Sequence, residues 1–162
     1  SFADQIGDKC PNLSFTKEAH SGKNAEFLWN KIKDRNLKSE GYDDAIVWVG
    51  VNNINNAKEY LENIYQKLKN DNVKIIPITI TPWKGYGSYS EAAQTKTDEV
   101  NSWLTSGANG LLDNATIIDV YATFEYPANS DILNTAMSRD EIHLNQKGHE
   151  ELAKILTNKV YK

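Results

Sequence analysis

The chain has 162 residues, 40% hydrophobic and 25% charged, the balance of one soluble globular domain (1–162) long enough to bury a core. A net charge of −4 with no basic cluster argues against nucleic acid as the main partner, and no apolar run approaches the length of a membrane span. The single cysteine, Cys10, excludes an intrachain disulfide or a cysteine-based zinc site, and three scattered histidines (His20, His143, His149) argue against a metal centre.

In chain order, strand and helix signals alternate. Residues 2–9 read as a short helix ended by Cys10-Pro11-Asn12, and residues 13–19 alternate as a strand does. Residues 24–35 place Ala25, Leu28, Trp29 and Ile32 at helical spacing. Residues 45–51 are apolar and rich in β-branched side chains, the pattern of a strand covered on both faces. A clear amphipathic helix comes next over 56–70, then a second buried strand over 73–81 that Pro82 stops. Residues 83–90, rich in Gly and Tyr, read as a loop, and 90–104 as a helix. Residues 116–120 read as a third buried strand, 121–139 as a long irregular return, and the segment after Asn145 as a final helix with an apolar stripe at Leu152, Ile155, Leu156 and Val160. Strands alternating with helices predict an α/β fold, a parallel sheet sandwiched between helices, with ligands outside the carboxyl ends of the strands.

Three places near those ends carry chemistry. Asp140 stands three residues before His143 on a loop entering the last helix. An acid held beside an imidazole accepts the Nδ1 proton and leaves Nε2 free as a general base, although an acid at a helix N-terminus also simply suits the dipole. Gly50-Val51-Asn52-Asn53 comes directly after the first buried strand. A glycine there allows a sharp turn, and the Asn52 amide can donate to an oxyanion, though Asn is also an ordinary turn former. Gly22 lies at an earlier strand-to-helix junction, where it would offer an unobstructed N–H or serve only as a turn.

On these residues the chain resembles the SGNH (GDSL-type) hydrolase family, whose four blocks contribute Ser, Gly, Asn and His. Asp140-Glu141-Ile142-His143 matches its Asp-x-x-His block, and Leu144 to Gly148 continue it. Gly50-Val51-Asn52-Asn53 is similar to its Gly-x-Asn-Asp block with Asn53 in place of Asp, and Gly22 falls where the second block belongs. Ser1-Phe2-Ala3-Asp4-Gln5-Ile6 resembles the part of the first block after Gly-Asp, which makes Ser1 the nucleophile; an unrelated serine at that position is the competing reading.

The resemblance implies a flavodoxin-like SGNH hydrolase fold and serine-esterase chemistry without metal or organic cofactor. Ser1 attacks an ester carbonyl, His143 takes the hydroxyl proton, and Asp140 orients the imidazole. The Ser1 and Gly22 N–H groups and the Asn52 amide bind the oxyanion. If Ser1 were a free terminus its nitrogen would be an amine of pKa roughly 8 instead of an amide. Trp83 and Tyr86 in the aromatic loop either stack on a sugar ring or pack on the fold, and a small-molecule or carbohydrate O-acyl ester is favoured over a lipid because no long apolar lid is apparent. The resemblance also implies a first strand, between residues 13–19 and 45–51, that this sequence lacks. That slot is expected to be filled from outside this numbering, by a second polypeptide, an upstream segment or a partner's strand. Two other classes compete: a non-catalytic binding or structural module on the same fold, and a flavodoxin-like phosphate or cofactor binder, which the lack of a Gly-rich strand-to-helix loop disfavours.

Overall fold

The computed structural model describes residues 1–18, 20 and 22–161. The chain divides into two compact units. The first comprises Ser1–Glu18, Thr81–Ser90 and Val120–Lys162, and the second Ala19–Ile80 and Glu91–Asp119.

The second unit holds the sheet. Strands β1 (Asp44–Val47) and β2 (Lys74–Pro77) pair in parallel, Asp44 opposite Lys74 and Val47 opposite Pro77. Parallel neighbours need a crossover, and α3 (Ile54–Asn70) supplies it. Its stripe of Ile54, Ala57, Leu61, Ile64 and Leu68 is buried, each large aliphatic contributing about 1.5–3 kcal/mol. Helix α2 (Ala25–Ile32) packs on α3 and is capped by the Asn24 side chain, which accepts the Phe27 N–H at 2.9 Å. Helix α4 (Glu91–Thr105) packs on α3 from Val100, Trp103 and Leu104, with Trp103 stacked on Tyr65 at 6.1 Å between ring centres.

The strands are shorter than the apolar runs that contain them. β1 ends at Val47, where the chain turns toward Gly50 at φ +138°. A Cβ on Gly50 would come 3.1 Å from Ile80 Cδ1 and 3.4 Å from Ala57 Cβ, so the turn requires glycine for close approach as well as conformation. Beyond β2, among the described residues, the sheet continues only as a bridge between Ile78 and Ile118, all that residues 116–120 form of the expected third strand. At Ile80 a side chain replaces a strand: the Asn101 amide accepts the Ile80 N–H at 2.8 Å and donates to its carbonyl at 2.9 Å.

In the first unit, α1 (Phe2–Lys9) packs on α6 (Gln146–Lys159), burying Ala3 and Ile6 on one side and Leu152, Ala153 and Leu156 on the other. Residues 13–18 form no strand, contrary to their alternation, and Ala19 lies outside the described residues. Phe15 instead turns to the C-terminal segment and meets Tyr161 edge-on at 6.3 Å. An alternating run becomes a strand only where a neighbour completes its hydrogen bonds, and among the described residues no strand is paired with it. The irregular return contains one helical turn, α5 (Tyr121–Phe124), which anchors the fully buried Phe124. Among the described residues no helix is long and apolar enough to cross a membrane.

Candidate active site

The structure brings Asp140 and His143 together. Ser138 and Leu144 make an antiparallel bridge, and the Arg139 N–H donates to the His143 carbonyl at 2.9 Å, closing residues 138–144 into a tight loop. Asp140 Oδ1 accepts the His143 backbone N–H at 2.8 Å, and the imidazole Nδ1 lies 3.0 Å from Oδ1 and 2.8 Å from Oδ2. An ionised carboxylate can only accept, so Nδ1 carries the hydrogen of this contact, and in the neutral imidazole that leaves the lone pair on Nε2. Desolvation works against ionising Asp140, but the His143 N–H and imidazole outweigh it and hold the carboxyl below its ordinary value. The Arg139 guanidinium adds a looser contact, 3.5 Å from Oδ2.

The loop is tied to α6 by Asn145. Its amide donates to the Ala136 and Ser138 carbonyls at 3.1 and 3.2 Å, while its oxygen caps the helix by accepting the Gly148 N–H at 3.0 Å. A Cβ on Gly148 would stand 2.5 Å from the Met137 carbonyl oxygen, so the glycine lets the first turn of α6 lie directly on the segment entering the loop.

The aromatic loop runs beside this one. A Cβ on Gly85 would lie 3.3 Å from the Glu141 carboxyl carbon. Trp83 is 3% exposed and meets Tyr89 edge-on at 5.3 Å, the packing side of the two expectations held for it, whereas Tyr86 is 37% exposed.

Ser1 shares this unit but is otherwise engaged. Its amine and hydroxyl donate to Asp4 Oδ2 at 2.9 and 2.8 Å, and Lys17 pairs with Asp4 Oδ1. Lys17 foremost, with the Ser1 hydroxyl adding to it, holds the Asp4 carboxyl far below the usual carboxylate range. No hydrogen bond joins the Ser1 hydroxyl to His143 among the described residues. What connects the two regions is α6: Phe2 stacks on His149 at 6.2 Å. Burial foremost, with Arg139 adding to it, pushes the His149 imidazole pKa down.

The two remaining expected residues meet in the second unit. The Asn52 amide donates to the Lys23 carbonyl at 3.0 Å, beside Gly22, whose φ is +71°. An amide NH₂ has two donors, so this bond leaves one for a ligand. Gly22, Lys23, Asn24 and Phe27 line an open depression at the start of α2. Asn53 takes the left-handed conformation, φ +58°, and begins α3 without a side-chain cap, so of the pair it is the turn former.

Two residues that shape the site escaped the sequence reading. Asp4, the partner of the Ser1 hydroxyl, was signalled by the Ser-x-x-Asp spacing of a helix start. Ser138, whose hydroxyl lies inside the loop of residues 138–144, had only the weaker signal of a serine two residues before an acid.

A parallel α/β fold with an acid–imidazole pair on the loop entering its last helix is that of a hydrolase of the SGNH class. The sequence matches the GDSL-like lipase/acylhydrolase family over residues 1–151, and the chain belongs to that family, whose members are ester hydrolases. Solved structures agree in fold. A GDSL-like lipase from Bacteroides thetaiotaomicron superposes with a TM-score of 0.77 at 12% identity, covering 97% of this chain and 82% of that one. An acetyl xylan esterase, AlAXEase, gives 0.72 at 16%, covering 98% and 90%. An acetylxylan esterase from Geobacillus stearothermophilus gives 0.72 at 15%, covering 98% and 78%. No curated protein matches the sequence.

Proposed function

We propose that this esterase works by a Ser1–His143–Asp140 mechanism on small O-acyl esters, of which carbohydrate acetyl esters are the favoured class. The observation that carries the reading is the 2.8 Å contact of Asp140 Oδ2 with His143 Nδ1, which leaves Nε2 as the free base. In this reading Ser1 Oγ gives up its bond to Asp4 and bonds Nε2 instead. It then adds to the ester carbonyl as Nε2 takes its proton. The imidazolium, stabilised by Asp140, returns that proton to the departing alkoxide as the C–O bond breaks, giving an acyl-serine. Water repeats the sequence and releases the acid. In this reading the Gly22 N–H, the second Asn52 N–H and the Ser1 N–H donate to the oxyanion. No metal or organic cofactor enters any step.

Two features support a carbohydrate ester. Tyr86 offers an exposed ring on the loop beside Glu141, with Trp83 buried behind it as packing. Two of the structural relatives named above are acetyl xylan esterases.

A serine-directed phosphonate tests the mechanism. Intact mass should show one adduct, and peptide mapping should place it on Ser1. An adduct on another serine, or none on an active sample, overturns the assignment.

A further inference from the structure

We infer that Ser138 is a positioning residue for the esterase reaction, its hydroxyl setting the geometry of the Asp140–His143 pair. This rests on the reading of His143 as the base. The loop from Ser138 to Leu144 has few ways to hold its shape. Arg139, Asp140, Glu141 and His143 are exposed, the loop lies in no helix or extended sheet, and Glu141 within it takes φ +69°, a conformation that L side chains rarely adopt. Something must determine that backbone, and the Ser138 hydroxyl lies at its centre. Its Oγ accepts the Glu141 N–H at 2.8 Å and the Asp140 N–H at 3.3 Å. Its own hydrogen is directed to the His143 carbonyl at 3.4 Å. One hydroxyl therefore touches the backbone of the acid, of the strained residue after it and of the base.

Each contact bears on a degree of freedom the chemistry uses. Holding the Asp140 N–H fixes where that residue's Cα starts, and hence where the carboxylate meets Nδ1. Holding the Glu141 N–H keeps the left-handed turn that folds the chain back so that residue 143 faces residue 140. The Arg139 N–H, 2.9 Å from the His143 carbonyl oxygen, fixes the plane of that peptide, and the Ser138 hydroxyl adds a longer contact to the same oxygen. Asn145 completes the frame from outside by binding the Ser138 carbonyl at 3.2 Å. Ser138 is thus held from behind by Asn145 while it organises the loop in front. Alanine at 138 keeps the fold of both sides of the bridge but frees two N–H groups, which water then solvates because the loop is exposed. The expected loss is therefore of alignment, not of the fold.

The test compares Ser138→Ala with Ser138→Thr, which keeps the hydroxyl on a β-branched side chain suited to the extended backbone there. On a soluble aryl acetate, Ser138→Ala should lower kcat by about ten- to a hundredfold with KM changed by less than about threefold, and Ser138→Thr should restore most of the rate. In parallel, the His143 Nδ1 proton, observed by NMR in the intact protein, should be sharp in the parent and Thr proteins and lost to exchange in the Ala protein. Equal rates in parent and Ala proteins, or equal loss in Ala and Thr, overturn the proposal, the second because it would make the effect one of packing. The NMR signal is read without turnover, so it decides the position of the imidazole even if His143→Ala shows that the base lies elsewhere. A sharp, unshifted Nδ1 proton in Ser138→Ala refutes the inference by itself.

Discussion

The acid–base corner of the first unit and the amide corner of the second are built in opposite ways. Asp140 and His143 are three residues apart, and every bond that orients them, from Ser138, Arg139 and Asn145, comes from the same short stretch. Asn52 and the Gly22–Lys23 turn are joined across 29 residues by one exposed hydrogen bond, with Gly50, Gly22 and Asn53 all at positive φ. The first corner is wired locally and carries its geometry wherever the loop folds. The second is held by its scaffold: Gly50 wedged against Ile80 and Ala57, and α3 launched from Asn53. A mutation in the first corner should therefore show mainly in chemistry, and one in the second in chemistry and stability together.

The largest effect belongs to the local corner. His143→Ala should lower hydrolysis of an aryl ester by about 10²–10⁴-fold while thermal unfolding is little changed. His20 lies in the other unit and His149 is half-buried against Phe2, so neither replaces it. Activity within a few-fold of the parent would remove His143 from the mechanism and with it the contrast between the corners.

Next comes the scaffolded corner. Asn52→Ala should lower kcat by about 10²–10³-fold with KM nearly unchanged, the signature of a lost oxyanion donor. Asn53→Ala should leave kcat alone and cost about 1–2 kcal/mol of stability, because alanine disfavours the left-handed conformation that Asn53 holds. Asn53→Gly, which keeps that conformation open, should recover most of it. Similar small effects on kcat at both positions would reduce the pair to a turn.

A third comparison separates the catalytic loop from the helix it enters. Gly148→Ala forces a Cβ to within 2.5 Å of the Met137 carbonyl, a backbone atom that cannot swing away. Overpacking of this kind costs about 1–3 kcal/mol, and it should displace the loop as well, so activity should fall with the melting temperature. A Gly148→Ala protein as stable and active as the parent would show that α6 moves freely against the loop.

These contrasts also explain what the sequence revealed. Helix α3 was legible because a buried stripe at i, i+3, i+4 and i+7 is written in one continuous segment, and the Asp140–His143 pair was legible for the same local reason. Residues 13–18 and 116–120 were not, because alternation reports which faces are apolar but not whether a neighbour is present to complete the ladder. The grip of Asp4 on Ser1 depends on a helix start claiming the hydroxyl that the proposed mechanism needs, which no motif spacing resolves. The work of Ser138 depends on a left-handed residue, Glu141, that nothing in the amino-acid order announces.

The smallest effect is a difference in acid sensitivity within the first unit. The His149 pKa is pushed down mainly by burial, with Arg139 adding to it. A base whose folded pKa is depressed binds protons more readily when unfolded. Its contribution to stability is therefore complete above the unfolded value of about 6.5 and is lost as pH falls from there through the folded value. Asp140 acts in the same direction lower down: its depressed carboxyl stabilises the loop above about pH 4 and ceases to do so as pH drops through its folded value. Acidification should thus loosen α1 against α6 first, where His149 meets Phe2, and release the catalytic loop only later. Amide exchange read by mass spectrometry between about pH 7.5 and pH 5, a window that brackets the ordinary histidine value and is corrected for the intrinsic pH dependence of exchange, should show protection falling in α1 and the first turns of α6 before it falls in α3. His149→Phe, which keeps a ring against Phe2 but cannot be protonated, should flatten that response. If α1 and α3 lose protection together in the parent, or if the Phe variant responds to pH as the parent does, His149 does not govern the acid response of this unit.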